Sequence, residues 1–160
     1  MKSNLSLEFL HSCDPRIGNV YRYWDSKRRG RRMPARADID PVEIPSYLPN
    51  VILVDVTRDP LDFRYRLVGT DIVQKRGHDP TGKRVAEGFF GSSAEFVLGN
   101  YTYVVENRTV QFADTPFVEP RGWYVYFERL FMPLSGDGEN VDMIFVYALW
   151  NDMPRAGESP

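Results

Sequence analysis

The sequence predicts an α+β domain: a five-stranded antiparallel sheet carries inserted helices on one face, with an amphipathic helix added at the N-terminus. Three observations predict it. Apolar residues recur at helical spacing over residues 15–29 and again over 92–108. Two strand-like runs lie between those helices, and three more follow the second. Helices inserted after the second of five strands break the alternation that a parallel βαβ sheet would show.

The chain has 160 residues, which suits one domain, and 42% are hydrophobic, enough for a sizeable core. The net charge is −2, so any nucleic-acid role would rest on a local patch. Nine Tyr and ten Phe fit a β-rich fold or an aromatic-lined cavity equally well. Cys13 is the single cysteine, which excludes an intramolecular disulfide and a Cys-rich zinc site. No run approaches the ~20 apolar residues of a membrane span, and the chain reads as soluble and cytoplasmic.

Residues 1–13 are of mixed character and read as a frayed or lightly docked start. Residues 14–50 form an N-terminal helix and a connector. Asp14 suits the N-cap and Pro15 the first helical position. Ile17, Val20, Tyr21 and Trp24 make one apolar stripe, which either packs on its own sheet or meets a second copy. Lys27, Arg28 and Arg29 fall in the last turn, where cations suit the helix dipole, and Gly30 is placed for a left-handed cap. Pro34, Pro41, Pro45 and Pro49 then keep the connector extended, with room for a turn of helix near 41–48.

The core spans 51–150. Val51 to Val56 is an apolar strand, Asp59-Pro60 a turn, and Phe63, Tyr65 and Leu67 alternate with Arg64, Arg66 and Val68. Short helical pieces are expected near 70–77 and 83–88, around the turn His78-Asp79-Pro80-Thr81-Gly82. Ser92 and Glu95 have capping-box spacing, and Val97, Tyr101, Val104 and Val105 form the apolar face of the helix they open. Strands follow near 109–118, 122–134 and 140–150, and residues 151–160 read as a disordered tail.

The runs KRRGRRMPARADIDPVEIPSYLPNVILVDV, FRYRLVGTDI, GHDPTGKRV and FMPLSGDGENVDMIF resemble a bacterial PAS subfamily best known from alphaproteobacterial single-domain proteins, across roughly residues 14 to 150. The resemblance implies a sensory, signalling role without an output domain, exercised through contact with a signalling protein. It also implies a homodimer through the flanking helix, with Ile17, Val20, Tyr21 and Trp24 as the interface, and a groove between the sheet and the inserted helices. Phe63, Tyr65 and Leu67, Val97, Tyr101 and Val104, and Leu130 and Met132 would line that groove. Either these side chains fill it, or it holds a small apolar or amphipathic ligand.

The chemistries known for such domains leave few marks here. A cysteinyl-flavin adduct needs a cysteine in the core, and Cys13 precedes it. A haem bound from the long helix needs a histidine there, and residues 92–108 contain none. His11 and His78 sit in no metal or catalytic pattern, and no phosphate loop or dinucleotide fingerprint is present. The cofactor is therefore open, no metal ligand or catalytic residue is named, and catalysis is not expected. A small α+β cavity enzyme or carrier is the alternative.

Two charged features complete the reading. Arg66 on the second strand needs a partner if buried: Asp79, Glu128 or Asp142, or a ligand carboxylate. Six of the ten residues from Lys27 to Arg36 are Lys or Arg, followed by Asp38 and Asp40. Ion pairs from Arg36 that lock the connector are the favoured account of this run, and a nucleic-acid contact the weaker one.

Overall fold

The computed structural model describes residues 7–88, 92–114, 117–118 and 124–153. Helix α1 is Pro15–Arg28. The hairpin of β1 (Val51–Thr57) and β2 (Asp62–Val68) follows the connector. Helices α2 (Thr70–Arg76) and α3 (Ser92–Asn107) are inserted next. Strands β3 (Gln111–Ala113), β4 (Phe117–Val118), β5 (Tyr124–Leu134) and β6 (Met143–Met153) complete the order. The sheet runs β2-β1-β6-β5-β3, all antiparallel, and β4 also pairs with β5. The strand expected over 109–118 is thus two short pieces sharing one edge position, so the sheet has five strand positions.

Both faces of this sheet are covered, and alternate residues of the same strands serve the two sides. Ile52, Val54, Phe131, Ile144, Val146 and Ala148 point to the inner side, with Val97, Tyr101 and Val104 of α3. Val51, Leu53, Leu130, Met132, Phe145 and Tyr147 point to the outer side, against α1. A sheet sandwiched in this way reads as near-continuous apolar runs, which hides the alternation in the sequence.

Helix α1 starts where its residues predict. The Asp14 side chain accepts the Arg16 N–H at 2.9 Å, and Pro15 follows in the first turn. At the other end Arg29 takes the left-handed cap, with φ 50°, one residue before the expected Gly30, which is also left-handed at φ 83°. Ile17, Val20, Tyr21 and Trp24 are all buried on the outer face, and the Trp24 indole donates to the Pro133 carbonyl at 2.9 Å. Of the two uses left open for this stripe, the structure shows the intramolecular one: the stripe packs on its own sheet.

The segment ahead of α1 is docked. Phe9, in a short 3-10 turn, stacks on Phe112 at 4.9 Å and meets Tyr21 edge-on at 6.0 Å. The connector contains three 3-10 turns, at Arg36–Asp38, Pro41–Glu43 and Leu48–Asn50. The last fits closely under Gly69, where an added Cβ would lie 2.3 Å from the Pro49 carbonyl oxygen. The basic run holds the connector, with different pairs from those expected. Lys27 meets Glu43 at 2.9 Å, Arg31 meets Asp38 at 2.7 Å, Arg28 pairs with Asp25, and Arg36 donates to the Ile39 carbonyl at 3.0 Å. Exposed pairs of this kind contribute only ~0–1 kcal/mol each, so they set geometry more than stability. At the C-terminus β6 runs to Met153, into the span read as a tail; residues 154–160 lie outside the described residues.

Candidate functional site

The inner side of the sheet, beneath α2 and α3, holds a small cavity of about 30 Å³. Ile52, Val146, Ala148 and Trp150 come to it from β1 and β6, Tyr65 from β2, Arg129 and Phe131 from β5. Ile72 and Arg76 come from α2, and Val97 and Tyr101 from α3. That volume is room for about one water molecule.

Arg129 is the unusual member. It is only 4% exposed, and its guanidinium lies 5.6 Å from the Phe96 ring and 5.9 Å from the Phe131 ring. Burial pulls its pKa down to about 10, while the charges of Tyr101 and Asp114 act in the opposite sense. Burial likewise pushes the Tyr101 hydroxyl well above the usual phenol range. The Tyr101 ring is fixed edge-on to Phe131 at 5.0 Å and tilted on Phe63 at 5.3 Å. Arg76 reaches over the Tyr65 ring at 5.4 Å. Two guanidiniums and two phenols in an aromatic frame are hydrogen-bond donors at neutral pH. They suit the recognition of an anionic acceptor.

The residues predicted to line this groove divide. Tyr65, Val97 and Tyr101 border the cavity, and Phe63 and Val104 belong to the same inner cluster. Leu67 does not, and is 44% exposed. The reason is an irregularity in the β1–β2 ladder: Leu53 pairs with Leu67, but Val54 pairs with Tyr65, leaving Arg66 as an extra residue. One extra residue reverses the faces beyond it, so Val68 points inward in place of Leu67. Arg66 itself is on the surface, its side chain 64% exposed, and its Nε meets Asp55 Oδ2 at 2.8 Å. None of the partners proposed for it is the one it uses.

Leu130 and Met132 are fully buried, but on the outer face against α1. The reading placed β5 one residue out of phase, and their neighbours Arg129 and Phe131 face the cavity instead. Arg129 and Phe131 were missed for that reason; Arg76 on α2 and Trp150 on β6 also border the cavity without having been expected. The available signal was Arg129 itself, a lone cation followed by the apolar run Leu130-Phe131-Met132. His11 and His78 are exposed, and the described residues hold no cluster of three or more His, Cys, Asp or Glu side chains able to bind a metal.

A family model described as a PAS domain matches residues 14–147. No match is found among curated proteins.

Proposed function

Because the chain belongs to the PAS domain family, a family of sensory and signalling modules, we propose that its inner groove senses a small ligand carrying an anionic group. The occupied state would be read by a partner protein through direct contact. One observation carries this reading: the Arg129 guanidinium, 4% exposed, beside Arg76 in an aromatic-walled cavity. A guanidinium held in an aromatic frame presents several N–H donors in a fixed fork, the geometry that recognises a carboxylate or phosphate.

The size of the cavity gives the sensing step its form. At about 30 Å³ it admits a water-sized occupant. A ligand of more than a few atoms enters only by moving side chains or shifting α3 from the sheet. The ligand then binds the opened arrangement in preference to the closed one, and that difference is the signal available to a partner.

Native mass spectrometry of protein purified from its own host tests the reading. A defined extra mass that is lost in Arg129→Met, with an unchanged far-UV circular dichroism spectrum, is the expected result. An adduct that persists in Arg129→Met would overturn the role given to the arginine.

The small volume also favours a second reading, an adaptor whose groove is filled by its own side chains. A bare mass, together with binding of a signalling partner that Arg129→Met leaves unaltered, would establish that alternative. A homodimer stays within the proposal only through a surface other than the α1 stripe. Sedimentation at high concentration measures it, and a monomer mass removes it.

A further inference from the structure

A second concavity lies where the C-terminal ends of α1 and α3 meet, and it shares no lining residue with the inner cavity. It measures about 420 Å³, within the range of roughly 300–1,000 Å³ typical of small-molecule sites. Tyr21, Trp24 and Val110 are its buried members, Tyr103 adds an exposed ring, and Arg28, Arg32 and Arg108 supply charge. We propose that this groove binds a small organic anion, a carboxylate or phosphate borne on a planar ring.

Charge is the first ground. Three guanidiniums line the groove, and no acidic residue is among the lining residues. Two effects reduce that field. Asp25 pairs with Arg28, and each helix C-terminus carries roughly half a negative charge. About one net positive charge remains, which matches a single anionic group.

Geometry is the second ground. Arg32 gives one N–H to the Asn107 carbonyl at 3.4 Å, linking the segment after α1 to the end of α3. Its fork has further donors for a carboxylate or phosphate. Arg28 lies over the Trp24 ring at 5.4 Å, so cation and aromatic surface are presented together. Arg108 holds a left-handed backbone, φ 53°, a conformation that costs a non-glycine residue roughly 1–2 kcal/mol.

The groove also gathers the part of the basic run that does not serve the connector. Lys27, Arg31 and Arg36 are engaged with the connector, while Arg28 and Arg32 face the groove.

Isothermal titration calorimetry on the full chain decides it, with adenosine monophosphate and indole-3-carboxylate as probes and adenosine and inorganic phosphate as controls. At least one ring-bearing anion binds with Kd below about 1 mM, and both controls bind about tenfold more weakly or worse. Comparing phenyl phosphate with benzoate, which share one ring, names phosphate or carboxylate as the source of the charge. Removing two charge-assisted contacts in Arg32→Gln/Arg108→Gly weakens binding by at least about tenfold. Glycine accepts the left-handed backbone at 108, so the fold is kept, and the melting temperature verifies this. Arg129→Met leaves this binding unchanged, which separates the groove from the inner cavity. No heat with either anion, controls that bind equally, or a double variant that binds as the parent does would each overturn the proposal.

Discussion

Glu128 and Arg129 are consecutive on β5, yet they serve opposite sides of the sheet. Glu128 accepts the backbone N–H of Asp14 at 3.1 Å and so helps seat the start of α1 on the outer side. Arg129 is enclosed on the inner side among Phe96, Phe131 and Tyr101. The outer layer packs the apolar stripe of α1 on the sheet, with hydrogen bonds from the Trp24 indole and to Glu128; the inner layer encloses the Arg129 guanidinium. The two layers differ in what they enclose, and the two faces should answer differently to substitution.

The largest effect belongs to the outer face. Trp24 is buried, packs against Tyr21 at 6.0 Å between centroids, and donates to Pro133. Trp24→Ala leaves a cavity and a buried carbonyl without its donor. A loss of about 3–5 kcal/mol is expected in denaturant unfolding. Trp24→Phe keeps most of the ring and should lose less than half as much. A loss below about 1 kcal/mol in the alanine variant would show that α1 is not an integral layer.

On the inner face the order of effects reverses. Arg129→Met replaces a desolvated cation with an apolar side chain of similar length. Asp114, whose charge acts on Arg129, is exposed and can be re-solvated, so unfolding stability should fall by less than in Trp24→Ala. Binding of any inner-groove ligand should be lost. A strongly destabilised Arg129→Met would make the arginine part of the scaffold and erase the contrast between the faces.

That contrast is also where the sequence was hardest to read. The elements were legible, because capping residues, turn prolines and helical spacing are local signals: α1, the hairpin, the short α2 and the long α3 all stand near their expected positions. Which face a strand residue takes is not local. β5 carries Leu130, Phe131, Met132, Pro133 and Leu134 in succession, because both of its faces are covered, so no apolar–polar alternation marks the phase. In β2 the alternation was visible, but the extra residue at Arg66 is set by pairing with β1, a partner in space that composition does not reveal. Tyr65, Val97 and Tyr101 were found because they precede the irregularity or lie on a helix with a clear stripe.

A smaller, pH-dependent effect separates the faces again. Burial raises the Glu128 pKa above its ordinary 4.5, more than the Asp14 N–H lowers it. The folded state therefore holds this proton more tightly than the unfolded chain. Its contribution to stability is present below about pH 4.5 and is lost as pH rises through the folded value. Glu128→Gln still accepts the Asp14 N–H through its amide oxygen but has no such proton. Stability measured by urea titration from pH 4 to pH 7 should fall less steeply in the variant. An identical slope in the two proteins would remove Glu128 as the origin.

The smallest effect is expected at the residue the sequence made most conspicuous. Arg66 was a candidate ligand reader because it stood in a strand taken as buried. Its side chain is 64% exposed, and its partner Asp55 is on the neighbouring strand. An exposed pair of this kind is worth ~0–1 kcal/mol, and Arg66→Ala should lie at the low end of that range. It should leave retention of an inner-groove ligand untouched, because the extra residue in β2 turns this side chain away from the cavity. Native mass spectra of Arg66→Ala and Arg129→Met, recorded side by side, put the assignment to its sharpest test. If the adduct disappears from Arg66→Ala and survives in Arg129→Met, recognition lies at the exposed edge of the sheet and the inner face is core. The opposite pattern leaves the edge strand a structural margin and makes the phase of β5 the feature that decides where binding occurs.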